Sequence, residues 1–199
     1  MKHKLIAVIF CAAGLAFFSC NRTEKKEEAA ATTKKDSIPA AQVAANKEVE
    51  LQEKKFAADS ANYDNRTMLA AAYYNAGALD KAIYQFTKVV DHDSKNVMAL
   101  GNLGNIYYDV KQDDKAIEYY EKALELDPKN IDMRCDLATC YMNINKLKKA
   151  IKLLKENIEI NPKHEKSHHN LAVILKQNGD LKESEDEMKI YESLKSGKK

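Results

Sequence analysis

From Tyr63 onward, apolar and small residues return at a fixed interval of 34 positions. Leu69, Leu103, Leu137 and Leu171 fall on it, with Ala70, Gly104, Ala138 and Ala172 beside them. Tyr73, Tyr107 and Tyr141 recur, with Leu175 in the fourth place; Ala82, Ala116 and Ala150 recur, with Ser184 fourth; Phe86, Tyr120, Leu154 and Met188 complete the series. Inside one interval the apolar positions are three and four apart. Leu103, Gly104 and Tyr107 share one helical face, and Ala116, Tyr120 and Ala123 share another. Each copy therefore reads as two helices. The small residues let them approach closely, and the tyrosine fills the space beside them. Asp127-Pro128 ends a second helix, because the residue before proline avoids helical angles, and Pro162 repeats the signal. One such pair cannot bury its apolar face alone, so neighbouring pairs are expected to stack.

The pattern changes before residue 63. Met1-Lys2-His3-Lys4 is basic, and Leu5 to Phe18 is an unbroken apolar or small run, too short to span a bilayer comfortably and suited to a secretory signal. It ends at Phe17-Phe18-Ser19-Cys20. This resembles a bacterial lipobox, with Phe17 where leucine is usual. The resemblance implies a signal peptide over 1–19 and a lipid on Cys20, and several acyl chains there would anchor the chain stably. Asn21, where an aspartate would hold such proteins in the inner membrane, points by analogy to the outer membrane. The segment 20–46 is rich in Lys, Glu, Ala and Thr and has no period, so it is expected to be a disordered tether. Residues 47–62 resemble a degenerate half-repeat whose Val49, Phe56 and Ala58 would pack on the first full copy.

The second copy, NLGNIYYDVKQDDKAIEYYEKALELDPKN, resembles the tetratricopeptide repeat closely, and four copies stand in register over 63–96, 97–130, 131–164 and 165–199. The resemblance implies an all-α fold, a right-handed superhelix of stacked antiparallel helix pairs. Glu185 and Glu192 replace Ile151 and Ile158, as suits a last helix facing solvent. In this family the first helix of each pair lines the concave face. Carried onto this chain, that gives Thr67, Ala71, Tyr74 and Asn75, then Gly101, Asn105, Tyr108 and Asp109. The third copy supplies Cys135, Thr139, Met142 and Asn143; the fourth supplies His169, Val173, Lys176 and Gln177. Asparagine can donate to and accept from a peptide unit at once, and tyrosine supplies contact area with little entropy loss, so an extended polypeptide is the expected partner. The subtype that clamps an acidic tail is excluded, because Asp132 and Asp136 stand where cations would be needed.

Composition narrows the picture further. Apolar residues make up 45% of the 199 positions and charged ones 31%, with 6 Gly, 3 Pro and no Trp, which suits helices. The formal charge is +2, and loss of Lys2 and Lys4 with the signal would leave 30 basic side chains (32 less 2) against 30 acidic ones. No basic face for a nucleic acid emerges. Cys135 and Cys140, five apart on an expected helix, point to different faces and are not expected to pair.

One motif suggests chemistry. His164-Glu165-Lys166-Ser167-His168 matches the H-E-x-x-H pattern of zinc proteases. The repeat register argues against it: His164 takes the place of Asn96 and Asn130, in the turn after Pro162 rather than inside a helix, and Glu165 is expected at the surface. No Ser/His/Asp set, phosphate loop or catalytic carboxylate pair emerges elsewhere. The expected function is that of a lipid-anchored adaptor in a bacterial envelope, binding a polypeptide in its concave groove, with no enzymatic activity, cofactor or metal. A glycan-binding scaffold is the alternative, disfavoured by the absence of tryptophan, and a zinc protease the remote one.

Overall fold

The computed structural model describes residues 39–197. Helix α1 spans Ala40–Ala58, and eight more follow in pairs: α2 (Tyr63–Asn75) with α3 (Leu79–His92), α4 (Val97–Asp109) with α5 (Asp113–Leu126), α6 (Ile131–Asn143) with α7 (Leu147–Ile160), and α8 (Glu165–Asn178) with α9 (Leu181–Ser196). The fold is all-α, a stack of antiparallel helix pairs. The expected signal, Cys20 and most of the expected tether lie outside the described residues. Its last part does not: α1 begins at Ala40, so residues 40–46 are helical rather than part of a tether. The reason is local, since AAQVAAN is rich in the good helix formers alanine and glutamine, and the helix begins directly after Pro39.

The helix starts are specified locally. Asn62, Asn96 and Asn130 each stand just before a first helix and accept a hydrogen bond from a backbone N–H of its first turn. The turn inside each pair also repeats. Gly77, Lys111, Asn145 and Gly179 all have positive φ, at 76°, 62°, 59° and 94°. The following N–H reaches back to the carbonyl of Tyr73, Tyr107, Tyr141 or Leu175, at 2.8–2.9 Å. Lys111 holds this conformation at a steric cost that Gly77 and Gly179 avoid.

Packing follows the small residues. A Cβ at Gly104 would lie 2.7 Å from the Tyr120 ring, so glycine is what allows that ring to sit flat on α4. Two clusters form the core. One gathers Leu69, Phe86, Leu103 and Ile106; the other gathers Tyr120, Leu137, Leu154, Leu171 and Leu175. Val49 and Phe56 pack from α1 onto the first cluster, whereas Ala58 is exposed. Gln52 of α1, at the position of Phe86 and Tyr120, is buried and donates to Glu48 at 2.6 Å.

The curvature is asymmetric. The first helices touch in succession, α2 with α4, α4 with α6 and α6 with α8, but no second helix closely approaches another. The first helices therefore lie on the inner side of the stack and present the candidate groove.

Candidate functional site

The inner surface opens between α4 and α6 into a cleft of about 480 Å³, lined by Met98, Gly101, Asn102, Asn105, Met133 and Asp136, with Tyr120 at its floor. Its shape depends on Gly101, where an added Cβ would come within 2.8 Å of the Met133 terminal methyl. Its polar chemistry is partly spent within the protein. Asn102 donates Nδ2 to the Met98 carbonyl at 2.8 Å, and the Tyr120 hydroxyl donates to Asn105 Oδ1 at 2.6 Å. With those bonds made, Asn102 presents an acceptor and Asn105 a donor, the complement of one peptide unit. Asp136 accepts from Lys166 Nζ at 2.7 Å. Met98, at 63% exposure, offers a flexible apolar surface at the rim.

Asn105 is thus in the cleft. Its expected companions are dispersed. Tyr74 donates to Asp109 Oδ2 at 2.7 Å, bridging α2 and α4. Burial, then the Asp109 hydrogen bond and charge, and then Asp136 push the Tyr74 phenol up to about 12. Tyr108 is half-buried against the core of the third pair, with Lys111 Nζ 5.1 Å from its ring. The Thr67 and Thr139 hydroxyls donate to carbonyls of their own helices, those of Tyr63 and Cys135. Met142 packs on the core, and Asn143 donates to Asp113 at 2.8 Å. His169 rests against Tyr191 with ring centres 4.9 Å apart, while Asn75 and Lys176 are exposed. Cys135, expected on the concave face, is instead fully buried, and its thiol is pushed up by burial. Cys140 is buried too, and both thiols are free.

Sequence reasoning missed Met98 and Met133 as cleft residues and placed Asp136 at a ligand position only to exclude an acidic tail. A signal existed: Met98, Asn102 and Asn105 are spaced four and three apart, so they share a stripe on α4.

Two constellations resemble catalytic sites. In the H-E-x-x-H segment, His164 precedes the first residue of α8. His168 is buried, and its ring nitrogens face Glu187 at 2.6 Å and the Pro162 carbonyl at 2.9 Å. Those of His164 face Ser167 at 2.8 Å and Asp132 at 3.2 Å. All four nitrogens are held by the protein, so zinc would have to displace those partners. Among the described residues no group of three His, Cys, Asp or Glu is placed to hold a metal. Glu165 is half-buried rather than surface-exposed, beside His164 and His169.

The second constellation is Ser167–His164–Asp132, a hydroxyl–imidazole–carboxylate chain that the sequence did not reveal. Ser167 and Asp132 are nearly one repeat apart, so stacking brings them together. Ser167 is 0% exposed and its hydroxyl lies 3.2 Å from the Cys135 thiol, which Asn157 Nδ2 approaches at 3.3 Å. A hydroxyl so buried cannot reach a substrate. The network ties the third pair to the fourth.

Comparison with known proteins agrees with this architecture. A tetratricopeptide repeat model matches residues 97–130, and a second matches 119–152. No curated protein matches the chain by sequence. Among solved structures it is similar to MamA of AMB-1, at 26% identity and TM-score 0.68, over 78% of this chain and 85% of that one. It is similar also to MamA from Desulfovibrio magneticus RS-1, at 18% identity and TM-score 0.72, over 77% of this chain and 86% of that one. With the repeated helix pairs, the shared turn and the small-residue contacts, these matches identify tetratricopeptide repeats within residues 97–152 and an all-α tetratricopeptide repeat fold over the described residues, the fold of a scaffold for protein–protein interaction.

Proposed function

We propose that the chain is a lipid-anchored adaptor of a bacterial envelope, held at the outer membrane, that captures an extended polypeptide segment along its inner face. The observation that carries the binding mode is the α4–α6 cleft. There Asn102 and Asn105 offer one acceptor and one donor to a peptide unit, and Met98 and Met133 offer apolar flanks. The occupant's main chain would bond the two amides, and a side chain would enter between the methionines. The anchor rests on the sequence alone, on the apolar run that ends at Ser19-Cys20. No helix among the described residues is long and apolar enough to cross a membrane.

The binding mode is tested by a photo-crosslinking residue placed at Met98 in intact cells, with the outer-face position Tyr84 as control. A discrete adduct from Met98 alone, weakened by Asn105→Ala, is expected; equal labelling from Tyr84 would overturn the groove. For the anchor, Cys20→Ala should release the protein from the membrane fraction or leave it unprocessed. An unmodified cysteine in the intact mass of the native protein would end the lipoprotein reading.

A further inference from the structure

We propose that the outer face carries a second docking site, a cleft between α5 and α7 that receives a tyrosine side chain of a partner protein. The chain contains its own comparison. In each of the first three repeats a tyrosine of the first helix carries a lysine ammonium over its ring: Lys81 on Tyr73, Lys115 on Tyr107 and Lys149 on Tyr141, each 4.9 Å from the centroid. In the second repeat a further ring joins them. Tyr119 stacks on Tyr107 with centroids 5.4 Å apart and planes within 5°. It packs on the cluster that the first pair forms with α4.

Thirty-four residues on, the position of Tyr119 is Leu153. Leucine brings no ring to Tyr141. What remains is a cleft of about 560 Å³ among Leu124, Leu137, Tyr141 and Leu153. At its base the Arg134 guanidinium is tied to Glu156 at 2.7 Å and to the Pro128 carbonyl, while its Nε is buried without a partner. The walls differ in charge: Glu121 and Glu125 stand on α5, whereas α7 carries Lys149 and Lys152 beside a Glu156 that Arg134 and Lys152 pair.

The occupant follows by complementarity. An entering phenol stacks on Tyr141 as Tyr119 stacks on Tyr107, with the exposed Glu125 carboxylate on the α5 wall to accept from its hydroxyl. Residues flanking it should be basic toward α5 and acidic toward α7. None of these side chains lines the α4–α6 cleft, so the site stands or falls apart from the concave groove.

The test begins with p-cresol, the tyrosine side-chain analogue, titrated into the methyl-labelled chain and followed by NMR. Saturable shifts of the Leu124, Leu137 and Leu153 methyls are expected, with Met98 and Met133 unmoved. Leu153→Tyr copies the second repeat and closes the cleft from within. It should weaken p-cresol binding about tenfold or more without lowering the melting temperature. Shifts confined to Met98 and Met133, or a folded Leu153→Tyr that binds as the native chain does, would overturn the site. A second arm keeps the fold safe, because Glu125 and Lys152 are exposed. A short peptide with tyrosine between a lysine and a glutamate flank should bind the native chain better than its tyrosine-to-alanine form. Glu125→Lys with Lys152→Glu should reverse the preferred order of the flanks. An unchanged preference would count against the site.

Discussion

The second and fourth repeats share a register and are held together differently. The second is closed by apolar and aromatic side chains: Leu100, Leu103, Ile106 and Tyr120 are all 2% exposed or less. The fourth buries polar groups in matching places. His168 stands where the second repeat has Leu100, and bonds Glu187 and the Pro162 carbonyl. Ser184 stands where the second has Ala116, and donates to the Ala172 carbonyl at 2.7 Å. Met188, half-buried, replaces Tyr120. The first and third repeats use the position of His168 in the same way: Arg66 and Arg134 donate to the Ser60 and Pro128 carbonyls, and to Gln85 and Glu156. One helix-pair geometry thus accepts either apolar closure or a hydrogen-bonded polar clamp. Small residues and the turn set the backbone path, and the remaining positions need only be filled and paired.

Four substitutions probe this comparison. Tyr120→Ala should be the most damaging, because it opens a cavity at a fully packed ring and strips Asn105 of its donor; about 3–5 kcal/mol is expected from such a loss. Met188→Ala, at a half-buried site, should cost less than half as much. Denaturant melts of the pair decide it, and equal losses would mean that both repeats depend on apolar packing alike. Next, His168→Ala should destabilise by about 1–3 kcal/mol, since Glu187 and the Pro162 carbonyl lose their partner. Retention of native stability would show that the polar clamp is ornamental. The smallest effect belongs to the turn. Lys111→Gly relieves the left-handed strain that Gly179 avoids in the fourth repeat, offset by glycine's greater freedom when unfolded. A gain of about 1 kcal/mol or less is expected, visible as a small rise in melting temperature. A fall would mean that the Lys111 contact with Tyr108 outweighs the strain.

The helix pairs were legible because their causes are local or periodic. Asn96 and Asn130 cap the helices they precede, and Pro128 and Pro162 follow the ends of α5 and α7. Gly104 and Tyr120 announce a close contact by size alone. The start of α1 was misread, because a run of alanines among charges has both the composition of a tether and the propensity of a helix.

The groove was legible only as a face. The family resemblance placed Asn105 on the inner stripe, but it could not say that Tyr74 and Asp109 would satisfy each other, or that Asn143 would bond Asp113. Nor could it show Met98 and Met133 framing the cleft, or Ser167 buried against Cys135. The sequence by itself determined the helices from Tyr63 onward, their pairing and the side most residues face, Cys135 excepted, because those follow from short spacings and from side-chain size. Only the tertiary structure decided which polar atoms are spent on neighbours and which remain for a ligand. That choice depends on how far adjacent repeats splay and which side chains meet across them, distances that no spacing along one helix encodes.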